Sequence, residues 1–494
     1  MAPGDGVAPG DGVAPGDGVA PGDGVAPGDG VAPGDGVAPG DGVAPGDGPG
    51  PRERAERRDN AGTAGPRYVT AGPVKDADTI TVATPIVRVD EAADLLSRTI
   101  DVLVVGGGPA GSAAALGALR ERPGAHVVIA DAAEFPRDKT CGDGIAPHGL
   151  DVLRDLGVTD AVAGYRPVDR MRLRTPGGAE VATPSARANY VVPREVFDAR
   201  LVAAAQARGA QLIRRRVRSL EFTDRPRLDG RGREPVVVVN GSLTARVVIG
   251  ADGANSAVRR GLGLPGNPPG AMAIAVRAYT EVAFGDGPPE QFIHMTDEGW
   301  PAYAWSFPIG DGRANIGYGM LRSRLAGGTD GTSAKTVLRR TLARMLPETP
   351  AHPATLRAHH LPLSTHRPRQ PNGPVLLAGD AASLINPLTG EGIYYAVLSG
   401  SLAGHAAVRA AHPAAAGRVY RRALDAELGR HLRHTALLAG LAGRRRTLMD
   451  AAVRAARTRT ELYDMLVEIG LGRGTIPTSS LTRLAMRRTM TGLR

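Results

Sequence analysis

Apolar and polar positions fall into an orderly pattern from about residue 99 onward. Thr99-Ile-Asp-Val-Leu-Val-Val105 is a short apolar run that ends in Gly106-Gly-Gly-Pro109-Ala110-Gly111. The Ala/Leu-rich stretch from Ser112 to about Arg122 predicts a helix stopped by Pro123-Gly124, and residues 125–130 predict a second buried strand ending at Asp131. Two later apolar runs end in similar turns: Val247-Val-Ile-Gly-Ala-Asp252-Gly253 and Pro374-Val-Leu-Leu-Ala-Gly379-Asp380. The second leads through Asn386-Pro-Leu-Thr-Gly390-Glu-Gly392-Ile393 into a helix. Beyond residue 410 the chain is rich in Arg, Ala and Leu and predicts helices over 414–438, 441–467 and 479–488, with Pro413 at the first helix start.

Upstream of residue 99 this pattern is absent. Residues 2–48 hold eight copies of Ala-Pro-Gly-Asp-Gly, mostly separated by Val. Glycine does not recur at every third place, so the repeat is not collagen. One valine per hexad is too little for a β-helix core, and one carboxylate per hexad is a poor calcium cage. The repeat and the linker after it, 1–98 together, are expected to be a disordered tail.

The 494 residues are 42% hydrophobic and 22% charged, enough apolar content for a large core. The single cysteine, Cys141, excludes an intramolecular disulfide framework, a cysteine-ligated iron–sulfur cluster and a CxxC zinc site. No run approaches the ~18 apolar residues of a spanning helix. The expected setting is cytoplasmic, with peripheral contact at the inner face of a membrane as its extension. The formal charge is +10, and Lys75, Lys139 and Lys335 are the only lysines among 60 basic residues. Apart from clusters such as Arg214-Arg215-Arg216 and Arg444-Arg445-Arg446 the charge is scattered, and aromatics are only 4%, so no nucleic-acid partner is expected. A basic surface suits an anionic membrane or a diphosphate equally well. His359-His360, and Glu427 with His431 and His434 on one helix face, lack further ligands, so no metal is expected.

Gly106-x-Gly108-x-x-Gly111 stands between a strand and a helix, as a dinucleotide fingerprint requires. Gly106 permits the tight turn, Gly108 lets backbone approach a diphosphate, and Gly111 allows close helix packing. The free N–H groups of the helix start favour the anion, and Asp131 is placed for a ribose hydroxyl. Gly261-x-Gly263-x-x-Gly266 matches the same spacing but follows no predicted strand and contains Pro265, so it is read as an accident. Taken with Asp252-Gly253 and Gly379-Asp380, the fingerprint resembles the flavoprotein family of para-hydroxybenzoate hydroxylase over residues 99–410. The resemblance implies FAD, with Asp380 near its ribityl or diphosphate and with Gly390 and the Gly392 and Ile393 N–H groups at the flavin pyrimidine edge. Arg194, in Pro193-Arg194-Glu-Val-Phe197-Asp198, matches the arginine of that family that opens a helix near the cofactor; a solvated helix-start arginine is the alternative.

Lys139-Thr-Cys141-Gly142-Asp143-Gly144 resembles a loop of the geranylgeranyl reductase family. Tyr303-x-Trp305-x-Phe307-Pro308, followed by Gly317-x-Gly319, resembles that family's substrate-pocket motif. The resemblance places Lys139, Cys141 and Gly142 with the cofactor, and makes Cys141, Tyr303, Trp305 and Phe307 the candidate catalytic residues. Read from the residues alone, Tyr303, Trp305 and Phe307 alternate, so a strand points all three to one face. They either pack a sheet or line a pocket, where dry aromatic faces can offset charge building at a tertiary carbon by ~1–2 kcal/mol each. Cys141 is either a small buried hydrophobe or a residue shaping the flavin face, and a hydride transfer does not require it as a covalent nucleophile.

The expected fold is α/β. A discontinuous Rossmann-type FAD-binding domain (99–265 and 366–410) carries an inserted mixed β-sheet substrate domain (266–365) and a C-terminal helical region (411–494). The expected reaction is reduction of carbon–carbon double bonds in a prenyl or lipid substrate, with hydride from reduced FAD. The external reductant stays open among NADPH, ferredoxin and another carrier, so an electron-donor protein is a possible partner. The alternatives are a single-component FAD monooxygenase of an aromatic or polyketide substrate, a flavin halogenase, and a binding protein in which FAD is only structural.

Overall fold

The computed structural model describes residues 99–226, 232–281, 289–325 and 333–476. The tail expected over 1–98 and the helix expected over 479–488 lie outside the described residues.

β1 (Ile100–Val105), α1 (Pro109–Glu121) and β2 (Val127–Asp131) form the expected βαβ unit. Nearly every residue of the two strands is buried, as parallel strands covered on both faces require. The chain then passes through β3 (Gly144–Ile145), α2 (Pro147–Asp155) and a hairpin of β4 (Pro167–Arg174) and β5 (Glu180–Val191). α3 (Arg194–Ala207) and β6 (Gln211–Arg214) return it to the first sheet, which β7 (Leu220–Pro226), β8 (Arg233–Val239) and β9 (Leu243–Gly250) extend in the order β6-β2-β1-β9-β8-β7. α4 (Ala257–Gly261) follows, capped by Ser256, whose hydroxyl accepts the Arg259 N–H at 2.8 Å. The second glycine triplet, from Gly261, therefore begins at a helix end with no strand directly before it, and is no dinucleotide site.

A second sheet holds β10 (Met272–Glu281), β11 (Glu290–Thr296), β12 (Ala302–Pro308), β13 (Arg313–Leu321) and β14 (Arg357–Pro362), in the order β14-β10-β13-β12-β11-β4-β5-β3. It thus recruits β3, β4 and β5 from chain that precedes residue 265. Only β11 and β4 pair parallel. The two-residue period decides its faces. Val276, Ala278, Ala304, Ile316 and Tyr318 form a core with Leu338 and Leu342 of α5 (Ala334–Met345). Their odd-numbered neighbours on the same strands face the other way, toward the first sheet and the C-terminal helices.

β15 (Val375–Leu377) pairs parallel with β9 and feeds α6 (Ile393–Arg409). α6 lies backbone to backbone on α1: a Cβ on Gly400 or Gly404 would sit 2.0 Å from the carbonyl oxygens of Ala110 and Ala114. This contact holds the start of α6 beside the Gly106–Gly111 loop. The remaining helices are α7 (Ala416–Arg444), α8 (Thr447–Ala456) and α9 (Thr460–Leu471). The single helix expected over 441–467 is therefore broken at 445–446 and 457–459. A straight helix buries one stripe, whereas the breaks turn α8 and α9 over the β4–β5 hairpin. There Val453, Ala456 and Tyr463 pack on Ala179 and Val181.

Candidate active site

The fingerprint loop is built by contacts that tolerate no side chain at two of its glycines. Gly106 has φ +98°, and a Cβ there would lie 2.5 Å from the Ala251 carbonyl oxygen. A Cβ on Gly111 would lie 1.7 Å from the carbonyl oxygen of Gly106. Gly108 differs: the nearest atom to its Cβ would be Arg137 Nη2 at 3.5 Å, an ordinary contact, and Gly108 itself reaches the cavity wall. α1 starts with Pro109 and has no side-chain cap, which leaves its first N–H groups for an anion. Asp131 accepts the Gly107 N–H at 2.7 Å and the Ala133 N–H at 2.8 Å, and it lines the same space.

Arg194 is not a solvated helix-start residue. It is 3% exposed and forms a bidentate pair with Asp198 at 2.6 and 2.7 Å. Burial opposes its charge, but Asp198 outweighs burial and holds the guanidinium firmly protonated. Arg137 joins the same carboxylate at 3.2 Å, a residue of the loop that sequence reasoning passed over. Lys139 pairs with Asp380 at 3.2 Å. Burial would raise the Asp380 carboxyl, yet Lys139 and His359 override it and hold it below the ordinary range. Burial and Lys139 push His359 down to about 4, and its Nε2 has no partner. Asp252 caps α4, accepting the Ala257 N–H at 2.6 Å, while its buried Oδ1 has no partner. Gly253 lies beside it in the wall.

At the start of α6, Gly390 has φ +73° and Gly392 caps without a side-chain bond. Glu391 accepts the Tyr394 N–H at 2.8 Å, and its carboxyl also faces the N–H groups of Gly392 and Ile393. Burial pushes this carboxyl up to about 7 against those N–H groups. Sequence reasoning did not single out Glu391, although a carboxylate between two glycines at a helix start is a legible signal.

The Cys141 loop and the aromatic strand are tied together by Asn315. Its Nδ2 donates to the Cys141 carbonyl at 2.8 Å and to Asp143 Oδ2 at 2.7 Å, and its Oδ1 accepts the Trp305 indole N–H at 2.9 Å. Asp143 is fully buried, also accepts the Tyr279 hydroxyl at 2.7 Å, and is pushed up to about 6, chiefly by burial. Arg277 is 0% exposed, pairs with Asp138, and keeps two nitrogens without partners. Cys141 is half-buried, and burial pushes its thiol up despite the nearby Arg194, so it is a neutral thiol at pH 7.

Tyr303, Trp305 and Phe307 share one face, with ring centroids 6.0 and 6.4 Å apart in sequence order. Trp305 lies directly opposite Gly317, where a Cβ would come within 2.1 Å of the indole. The Tyr303 hydroxyl donates to the Thr389 carbonyl at 2.5 Å and closes over Gly390. Phe307 lies against Gly142.

Most of these groups line one cavity of about 820 Å³, with Asp143, Asp198, Tyr279 and Asn315 standing outside its wall. Gly106, Gly108, Pro109, Ala110, Gly392, Ile393 and Gly319 reach its wall, whereas four expected site residues do not. Gly111 and Gly379 stand behind the wall, Gly317 lies beneath the Trp305 ring, and Pro308 is buried at the end of β12. Beyond Trp305 the wall is apolar along a row that crosses the sheet through Ile293, Leu173 and Val181. Tyr463, Leu466 and Val467 of α9 complete it, and the Tyr463 hydroxyl anchors α9 by donating to the Thr183 carbonyl at 2.8 Å. Of the residues weighed as metal ligands, Glu427 pairs with Arg473, His431 contacts Tyr395 and the Gly474 carbonyl, and His434 accepts the Ile476 N–H. Among the described residues no helix is long and apolar enough to cross a membrane.

The cradle fits FAD. It has a cavity reaching Gly108, the Arg137 and Arg194 guanidinium groups beside that glycine, uncapped N–H groups at α1, and buried polar atoms on Asp252 and His359 without a protein partner. The family model described as FAD binding domain matches residues 99–400. The chain is 34% identical over 325 residues to a menaquinone reductase of Mycolicibacterium smegmatis, covering 62% of this chain and 76% of that one. It is 34% identical over 322 residues to digeranylgeranylglycerophospholipid reductase 2 of Methanopyrus kandleri, covering 63% and 77%. A geranylgeranyl bacteriochlorophyll reductase-like protein of Thermoplasma acidophilum superposes with TM-score 0.61 at 21% identity, over 76% of this chain and 96% of that one.

Proposed function

The chain belongs to the FAD-binding family, within the geranylgeranyl reductase group, and from that membership we propose that it reduces carbon–carbon double bonds of a prenyl chain carried by a lipid or diphosphate. The observation that carries this reading is the apolar row Trp305–Ile293–Leu173–Val181, which continues the cofactor cradle under a cover of α8 and α9. A cavity wall with that length of unbroken apolar surface suits a hydrocarbon chain better than a polar aromatic ring.

In this reading residues 99–265 and 366–410 hold FAD, residues 266–365 with β4 and β5 form the trough, and the region from 411 covers it. FAD, when bound and reduced, would supply the hydride, and a proton drawn ultimately from solvent would complete the addition of two hydrogens. Lys139, Arg194 and Asp380 orient its ribityl and diphosphate, and the N–H groups at Gly392 and Ile393 favour negative charge at the pyrimidine edge. Trp305 and Tyr303 present ring faces where an alkene carbon gains positive charge, and Asn315 holds the indole in place. Cys141 shapes the wall as a neutral thiol. The apolar wall offers water few hydrogen-bond partners where an alkene carbon gains positive charge. The reductant comes from outside, from NADPH, ferredoxin or another carrier. A lipid-borne prenyl chain also brings the protein to a membrane surface.

The test is anaerobic. Dithionite-reduced protein mixed with geranylgeranyl diphosphate or a prenyl lipid should show the oxidised flavin absorbance returning without oxygen. Absorbance that returns only when oxygen is admitted would overturn the reading in favour of a monooxygenase.

A further inference from the structure

Resting on the prenyl-lipid reading, we propose that the corner between α7 and α8 is the surface that docks on an anionic lipid bilayer and admits the prenyl chain. Among the described residues the large apolar side chains left exposed are Phe222, Val419, Leu437 and Leu448. Single exposed leucines are ordinary, but Leu437 and Leu448 flank one helix corner at 45% and 42% exposure. Between them lies Arg444-Arg445-Arg446. Arg446 pairs with Asp297, whereas Arg444 and Arg445 are exposed and meet no acidic partner among the described residues.

The same corner is cavity wall on its inner side. Ala439, Ala442 and Met449 line the cavity, interleaved with the exposed leucines and arginines. Trp300, which also lines it, donates its indole N–H to the Ala442 carbonyl at 2.9 Å and ties the end of α7 to the loop before β12. Outer surface and apolar interior are thus separated by a single helical turn. Exposed arginines between two exposed leucines match a bilayer whose surface is anionic and whose interior takes leucine. They also place the headgroup of a lipid substrate outside while its chain passes inward, since the trough wall beyond Trp305 offers no charge to a phosphate.

The experiment uses the full-length, FAD-loaded protein in co-sedimentation with phosphatidylglycerol-containing and with pure phosphatidylcholine vesicles. The protein should pellet with the anionic vesicles and be released by salt. Arg444→Gln with Arg445→Gln, and separately Leu437→Asp with Leu448→Asp, should each weaken binding by roughly tenfold or more. Turnover on a short, detergent-dispersed prenyl alcohol should stay unchanged in both. Vesicle binding unaffected by either pair would overturn the proposal. So would light scattering that shows a dimer the leucine pair dissolves, because the corner would then be a subunit interface. Loss of prenyl turnover in the unmodified protein would instead strike at the functional reading, an outcome that vesicle binding does not share.

Discussion

Trp305 and Gly317 face each other across β12 and β13, and the indole occupies the volume where a Gly317 side chain would begin. Gly317→Ala must displace the ring, and its Cβ would also lie 2.5 Å from the Val276 carbonyl oxygen, so β13 must shift against β10 as well. The expected outcome is a lower yield of folded protein, whose FAD-loaded fraction loses at least tenfold in prenyl turnover. Indole fluorescence, with Trp300 as the second reporter, should shift on substitution. Gly319→Ala has its nearest atom, Ala275 Cβ, at 3.3 Å, and should be much milder.

Asn315 makes three bonds to two segments more than 130 residues apart in sequence. Asn315→Leu strands the Trp305 N–H and removes a donor from the buried Asp143. An unsatisfied buried group costs about 1–3 kcal/mol, so urea unfolding should report a loss of that order or somewhat more. Asn315→Asp should be worse, because a second carboxylate would stand beside Asp143.

The fingerprint glycines predict opposite kinds of failure. Gly108→Val should leave a folded protein with weakened FAD binding, because the side chain fills the open cradle. Gly111→Ala would collide with backbone and should lower the yield of folded protein itself. Flavin content and circular dichroism measured on both variants separate the two.

Glu391 sets a pH dependence. Its folded carboxyl is raised from 4.5 to about 7, so the unfolded chain ionises it first. Its protonated form is therefore at no disadvantage at low pH, and stability is withdrawn as pH rises from about 4.5 through 7. The upper bound is about 3 kcal/mol, reduced by solvent in the cavity. Glu391→Gln keeps an acceptor for the Tyr394 N–H and should flatten this part of the stability profile between pH 5 and 8. It should also raise the flavin reduction potential above pH 7, where the wild-type carboxylate opposes negative charge at the same N–H groups.

The βαβ unit and the three strand-to-turn junctions were legible because each is local: a run, a turn and a helix within about thirty residues. The aromatic face of Tyr303, Trp305 and Phe307 was legible from alternation alone. Asn315, Asp143, Tyr279 and Arg277 were not, because their partners come from strands distant in sequence, although a lone arginine inside the apolar run of β10 was a signal. The reason for Gly317 required the β12–β13 register. The breaks in the C-terminal helices were hidden because apolar periodicity marks a buried face without naming what covers it.

The most direct measurement is the mass of the prenyl product after a single turnover of reduced protein under ¹⁸O₂ and, separately, under argon. A gain of two hydrogens with no ¹⁸O in either atmosphere is the predicted result. A product carrying ¹⁸O, formed only when oxygen is present, would contradict the account.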